Sequence, residues 1–279
     1  MARRLAADAD HALELRVQPV SVSLCTIALN EQSMLAGLLA SARDVVDEVI
    51  IGIDSRTTDH TVAVARALNC RTFEFDWHDS FAEARNLTID HARGDWILVL
   101  DPDERLLPEG RRAICDTLAG TVPLEVDGFL TQFIETDLDD QPQDEPVVSS
   151  SRLFRNSPDL RYVGRVHEEV RYLPDPPRTY CAMLEGGPHI QHYGLDATIW
   201  DLRRKRERDR RLLHLRLRDN PHDAVAHCYL ALMARREGRP LAARMFARRA
   251  LACGPRTLHD DRVAHMEQLC RRETSCFTA

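Results

Sequence analysis

Arg93-Gly94-Asp95-Trp96-Ile97-Leu98-Val99-Leu100-Asp101-Pro102-Asp103-Glu104 decides how this chain is read. Five apolar residues in succession, bounded by a Gly-Asp turn and by acids, have the length and composition of a strand buried on both faces. Pro102 supplies no ladder donor and helps to end that strand. Alternate residues of an extended chain point the same way, so Asp101 and Asp103 are expected to converge beyond the strand end. Two carboxylates at an open strand end suit a hard divalent cation. Taken alone, the pair is a weak signal, more often a solvated acidic turn after a strand.

The residues on either side supply the context. Val20–Leu29, Glu48–Ile53 and Arg71–Asp76 also read as strands, and Gln32–Arg43, Thr57–Leu68, Ser80–Ala92 and Pro108–Leu118 as helices between and after them. Ser80, with Glu83 three residues on, has the form of a capping box. Repeated strand–helix alternation predicts an α/β fold with a doubly wound, mostly parallel sheet. Ligands of such sheets sit at the carboxyl ends of the strands. Those ends are Ala28-Leu29-Asn30-Glu31, Asp54-Ser55-Arg56, Asp76-Trp77-His78 and Asp101-Pro102-Asp103-Glu104, each polar or acidic.

Beyond residue 120 the pattern loosens. Gly128–Thr136, Ser150–Phe154 and a stretch near Thr179–Leu184 read as strands, around an acidic loop at 137–146 and a proline-rich turn at 174–177. From Trp200 the period is helical, with helices expected over 203–218, 221–237, 241–253 and 259–272. Asp219-Asn220-Pro221, Tyr229-Leu230-Ala231, Gly238-Arg239 and Ala250-Leu251 resemble one tetratricopeptide unit. A single unit cannot bury its own faces, so it must stack on flanking helices or on the α/β part. The expected division is a lead-in over 1–19, an α/β domain over 20–200 and a small all-α helical-hairpin tail over 201–279.

Composition excludes little. The 279 residues are 44% hydrophobic and 29% charged, with net charge −7, so nucleic acid is not an expected partner. Arginines crowd the stretch from Asp201 to Arg256, as a solvated helical face or a docking face for an acidic partner or membrane. Eight cysteines without a CxxC pair support neither a zinc ribbon nor a redox motif. Met1–Pro19 lacks the apolar core of a secretion signal, and no run approaches the roughly 20 apolar residues of a membrane span. A cytoplasmic, reducing location is expected.

Four segments, in order, resemble the family 2 glycosyltransferases: Ser21–Glu31 their opening strand, Asp54–Asp59 their D-x-G-S-T-D segment, Ala82-Glu83-Ala84-Arg85-Asn86 their A-R-N helix start, and Arg93–Glu104 their G-D-W-I-L-x-L-D-x-D-E block. Gly164–Glu168, His192-Tyr193-Gly194 and the tetratricopeptide-like tail extend the likeness more loosely. The resemblance implies a GT-A fold and an inverting, metal-dependent transfer from a nucleotide-diphosphate sugar, expected to be a UDP-sugar. It implies that Asp54 holds the nucleobase, that Ala28, Leu29, Asn30 and Glu31 line its pocket, and that Arg85 contacts the base or a phosphate. Asp101 and Asp103 would then hold the diphosphate through Mn²⁺ or Mg²⁺. Arg56 departs from the family by standing where glycine is usual, able either to crowd the nucleotide or to add a phosphate contact.

An inverting transferase needs a base for the acceptor. Glu168, in a polar loop beyond the metal motif, is the candidate, with His167 and Glu169 as rivals. His192 is the expected third metal ligand, imidazole suiting Mn²⁺ better than Mg²⁺; His189 is the weaker choice. Trp77-His78-Asp79 is a candidate lid or acceptor wall, and Asn86 either a site residue or a structural hydrogen-bonder. The acceptor is a glycan, a lipid-linked intermediate or a peptide, with a protein partner or second copy conceivable on the tail. Two other classes compete. A nucleotidyltransferase wants a Gly-rich basic loop after the first strand, which Ala28–Gln32 is not. A non-catalytic interaction protein with a degenerate nucleotide-sugar fold would not need Asp54, Arg85, Asp101 and Asp103.

Overall fold

The computed structural model describes residues 20–137, 139–141, 148–174, 181–194, 202–254 and 260–271. The lead-in over 1–19 lies outside them, as do most of the acidic loop at 137–146 and of the turn at 174–177. The first half runs β1 (Val22–Ala28), α1 (Leu35–Ala42), β2 (Glu48–Asp54), α2 (Thr61–Ala67), β3 (Arg71–Phe75), α3 (Phe81–Ile89) and β4 (Trp96–Val99). There follow β5 (Glu104–Leu106), α4 (Pro108–Ala119), β6 (Gly128–Glu135), β7 (Val148–Arg155), β8 (Leu160–Val163), β9 (Glu169–Tyr172), β10 (Cys181–Met183) and β11 (Ile190–His192). The helices α5 (Leu202–Asp219), α6 (Ala224–Arg236), α7 (Pro240–Cys253) and α8 (Asp260–Arg271) complete the chain as described.

The main sheet has the order β3-β2-β1-β4-β7-β6-β11-β5, with β10 beside β6. β1, β2, β3 and β4 are parallel, and β10 and β11 run parallel to β6. β7 is antiparallel to both neighbours, and β5 to β11. The α/β, mostly parallel reading therefore holds, with an antiparallel admixture in the second half. Its physical cause is visible in β4. Leu98 and Leu100 enter one apolar cluster with Val22, Leu24 and Ile114, while Ile97 and Val99 enter another with Cys25, Ile89 and Phe154. Both faces are covered, so the run is continuously apolar rather than alternating.

Helix starts were less legible than strands. α1 begins at Leu35, not at residue 32, because a turn precedes it in which Met34 and Leu35 N–H groups donate to the Glu31 carbonyl. α2 begins at Thr61, not 57, because Thr57 N–H closes a separate turn on the Asp54 carbonyl. Asp59, within that stretch, accepts from the Thr61 N–H at 2.9 Å. The Ser80 cap is present, accepting from Glu83 N–H at 3.2 Å.

α6 and α7 pack together, with α8 against α7 and α5 against α6. Leu212 and Leu213 of α5 meet Ala226 and Leu230 of α6, and the same cluster takes in Val166, Trp77 and Phe81 from the α/β part. The helical segment thus uses both stacking routes open to it.

Candidate functional site

The carboxyl ends of β1, β2 and β4 lie at one edge of the sheet, and a cavity of about 1120 Å³ opens there. That exceeds the roughly 300–1,000 Å³ of a usual small-molecule pocket. Ala28, Leu29, Glu31, Asp54, Arg85, Asp101, Asp103, His167, Glu168, Glu169 and His192 all line it. Asn30 does not. Its side-chain oxygen accepts from the Thr58 and Asp59 N–H groups at 2.8 and 3.3 Å, tying the first strand end to the second loop. At φ 59° it is also in the left-handed region, which asparagine tolerates better than most residues. Its side-chain oxygen is thus engaged within the loop rather than turned to the cavity.

Asp54, only 3% exposed, is already engaged. Its Oδ1 accepts from Arg56 N–H and Nε, each at 2.9 Å, and its Oδ2 from Arg56 Nη2 at 2.5 Å. Burial pushes its carboxyl up, but the Arg56 contacts outweigh this and hold it below the ordinary aspartate range. The Arg56 guanidinium in turn lies 5.4 Å from the centre of the Trp77 ring. Arg56 therefore masks the carboxylate that the resemblance assigns to the nucleobase.

The Asp-Pro-Asp segment is divided between two sets of partners. Asp101 accepts from Arg85 Nη2 at 2.8 Å and from Arg152 Nη2 at 3.3 Å. These arginines override burial and hold its carboxyl far below the usual range. Asp103 Oδ2 instead faces His192 Nε2 at 3.5 Å, and His192 Nδ1 lies 2.9 Å from Glu135. Burial opposes charge on that imidazole, yet Asp103 and Glu135 raise its pKa to about 10. Backbone pairing sets this geometry: β11 places His192 opposite Glu104 on β5 and opposite Glu135 on β6. Among the described residues, no three His, Cys, Asp or Glu side chains stand arranged as a metal cage. Two carboxylates and an imidazole facing one cavity are nevertheless a donor set that fits Mn²⁺ or Mg²⁺. A cation seated there would take the place of the Asp103–His192 contact.

Two acids behind the segment carry raised pKa values. Glu104, 1% exposed, is pushed to about 7 by burial, Asp101 and Asp103, against the pull of Arg152 at 2.7 Å. Glu31 is pushed to about 8 by burial and then by Asp103 and Asp101. Burial and the two neighbouring aspartates thus disfavour the ionised form of both acids.

Arg85 joins the two halves of the site. It sits on α3, 5% exposed, and its Nε donates to Glu168 Oε1 at 2.6 Å while Nη2 reaches Asp101. The anionic partner expected for a cation in the first turns of a helix is found twice over. Its Nη1 is buried without a hydrogen-bond partner. Asn86, next along, donates to the Tyr162 carbonyl at 3.0 Å and accepts from its N–H at 2.9 Å, so it pins β8 to α3. His189 is fully buried; its Nδ1 accepts from Gln132 N–H at 3.0 Å, which removes it from the ligand candidates. Trp77 lines the cavity, while Asp79 is held by Arg211 at 2.5 Å, so this segment forms a pinned wall.

Arg152 and Glu135 were not anticipated from sequence. Each stands in a strand remote from the motif, and only the pairing of β4 with β7 and of β6 with β11 brings them to it.

Residues 23–156 match the family model described as Glycosyl transferase family 2. A TPR repeat-containing protein of Synechococcus elongatus is 35% identical over 84% of this chain and 57% of its own length. The SPbeta prophage-derived glycosyltransferase SunS of Bacillus subtilis is 25% identical over 71% of this chain and 45% of its own. The chain thus spans about half the length of the curated relatives it matches. Among solved structures, S. aureus TarS 1–349 in complex with UDP aligns over 82% of this chain and 81% of its own, at 14% identity and TM-score 0.49.

Proposed function

Residues 23–156 place this chain among the family 2 glycosyltransferases, and from that premise we propose that it moves a sugar from a nucleotide-diphosphate sugar to an acceptor, with inversion. The supporting observation is that Asp54, Arg85, Asp101, Asp103, Glu168 and His192, distant in sequence, face one cavity at the carboxyl edge of the sheet. We assign residues 20–200 to the transferase domain, with Asp54 and the walls formed by Ala28, Leu29 and Glu31 receiving the nucleobase. UDP is the expected nucleotide, because a buried carboxylate at a strand end can accept from a uracil N–H.

Asp103 and His192, with Asp101 beside them, would hold Mn²⁺ or Mg²⁺. Bound there, the cation would offset the negative charge that the departing nucleoside diphosphate acquires. Glu168 takes the proton of the attacking acceptor hydroxyl or water as the new bond to the sugar forms and the bond to the diphosphate breaks. Arg85 orients Glu168 and keeps Asp101 ionised. Among the described residues no helix is long and apolar enough to cross a membrane.

The test is UDP release from UDP-glucose and UDP-N-acetylglucosamine in the presence of Mn²⁺. Release should require the metal and fall by at least ~10²-fold in Asp103→Asn, a loss of several kcal/mol of transition-state stabilisation. Release indifferent both to EDTA and to that substitution would overturn the metal assignment. No release from any nucleotide sugar, with no binding of UDP, would overturn the donor assignment.

A further inference from the structure

The loop 164–167 leads directly into Glu168, and the C-terminal helices grip it from outside. Arg216 of α5 is 7% exposed. Its Nη1 donates to the carbonyls of Val166 at 2.7 Å and His167 at 3.2 Å. Its Nε and Nη2 are held by Asp223 at 2.8 and 3.2 Å, and the same aspartate caps α6 through Ala226 N–H at 2.9 Å. The guanidinium lies close against Gly164, whose φ is +98°; a Cβ there would come within 2.5 Å of Nη1. Arg165, next in line, pairs with Asp219 of α5 at 2.5 Å, and its carbonyl accepts from Phe81 N–H at 2.8 Å.

The loop is not self-supporting. His167 has φ 52°, a left-handed conformation that persists in a non-glycine residue only where its surroundings impose it. Those surroundings are the helices: the His167 ring stacks on Tyr229 of α6, with centroids 3.3 Å apart and planes 1° from parallel. Val166, 4% exposed, is buried among Leu212, Leu213, Ala226 and Leu230. On the other side of the loop, Glu168 meets Arg85 at 2.6 Å, and Arg85 meets Asp101 at 2.8 Å. Contacts therefore run without a gap from α5 and α6 through the loop to the catalytic carboxylates.

We propose that Arg216 is a positioning residue that sets Glu168, which makes α5 and α6 part of the catalytic unit rather than a separable partner-binding appendage. The proposal rests on Glu168 being the base. Two of its features are specific to position rather than to stability. Arg216 touches no part of the donor's pocket at Asp54, and it acts on the backbone immediately before the base.

The test uses the full chain with UDP-glucose, Mn²⁺ and water as acceptor, measuring kcat, KM and UDP affinity. Arg216→Met should lower kcat by ~10–10²-fold, the cost of a misplacement on the order of 1 Å, with UDP affinity within about threefold of the parent. Arg216→Lys should recover part of the loss, since an ammonium can still donate to the two carbonyls. In a Glu168→Gln background, Arg216→Met should produce no further loss. Tyr229→Leu keeps apolar volume under His167 and guards against misfolding of the arginine variant; it should lower kcat severalfold with an unchanged melting temperature. Parallel loss of kcat and UDP affinity, an undiminished Arg216→Met effect without Glu168, or parent-like kcat in both single variants would overturn the positioning role. Parent-like turnover in Glu168→Gln would instead sink the base assignment, whatever Arg216→Met shows.

Discussion

Replacing Arg56 by glycine, the residue usual at this place in the family, should make the protein bind UDP more tightly. The reasoning starts from Asp54, whose carboxylate accepts three hydrogen bonds from Arg56 and is therefore masked from a nucleobase. Binding must displace the guanidinium, although the Arg56 backbone N–H can stay. The contact is bidentate and short, but the Arg56 side chain is 54% exposed, so solvent screens it heavily. Exposed pairs are worth ~0.2–1 kcal/mol, and the good geometry places this one near the top of that range. Losing that competitor corresponds to a gain of up to about fivefold in affinity. Isothermal titration of UDP into the parent, Arg56→Gly and Arg56→Ala proteins reads it directly. Both variants should gain by roughly two- to fivefold, with the larger gain at low salt, where the pair is strongest. A loss of threefold or more in both variants would refute the reasoning, for it would mean that Arg56 holds the nucleotide itself.

Two further outcomes follow from the packing. Gly110 lies in α4 where a Cβ would run into the backbone carbonyl of His189, so Gly110→Ala should destabilise by ~1–3 kcal/mol and lower the thermal midpoint by roughly 2–10 °C; an unchanged melting curve would show that α4 can shift freely. Glu48 is held below the usual carboxylate range: burial pushes it up, but the Ser23 hydroxyl, the Arg93 N–H and Arg71 outweigh this. A depressed carboxyl adds stability above its unfolded pKa of roughly 4.3 and loses it as pH falls through the folded value. The stability gap between the parent and Glu48→Ala in urea titrations should therefore stay constant from about pH 6 to 8 and close below about pH 4. A gap that widens on acidification would reverse the assignment.

The parallel half of the sheet was legible because β1, β2 and β4 are apolar runs, β3 alternates aromatic and polar residues, and helices connect them. Asp54, Asp101 and Asp103 could be placed at the cavity from sequence because they end or follow strands, and Arg85 because it lies on the helix after β3. The rest was hidden for physical reasons. Nothing in the sequence signals that the Asn30 side-chain oxygen is held by Thr58 and Asp59. Arg152 sits in a serine-rich strand without any motif, and reaches Asp101 only because Leu153 pairs with Leu98 across antiparallel strands. Glu135 is found only through the β6–β11 register. Long-range pairing of this kind leaves no local periodicity to read. The tail was expected to need something to stack on, but nothing in its own pattern said that it would be the loop before Glu168.

The antiparallel pairing of β5 with β11 has a consequence for how the chain can vary. His192 meets Asp103 because the two short strands are clipped together by their backbones, down to the Tyr193 N–H donating to the Asp103 carbonyl at 3.0 Å. The distance along the chain between them plays no part in that meeting. Changes in chain length between β6 and β7 should leave the imidazole in place, whereas a single added residue inside Ile190–His192 would turn it to the opposite face. The meeting of His192 with Asp103 can thus be carried over intact while the chain between β6 and β7 varies in length and composition.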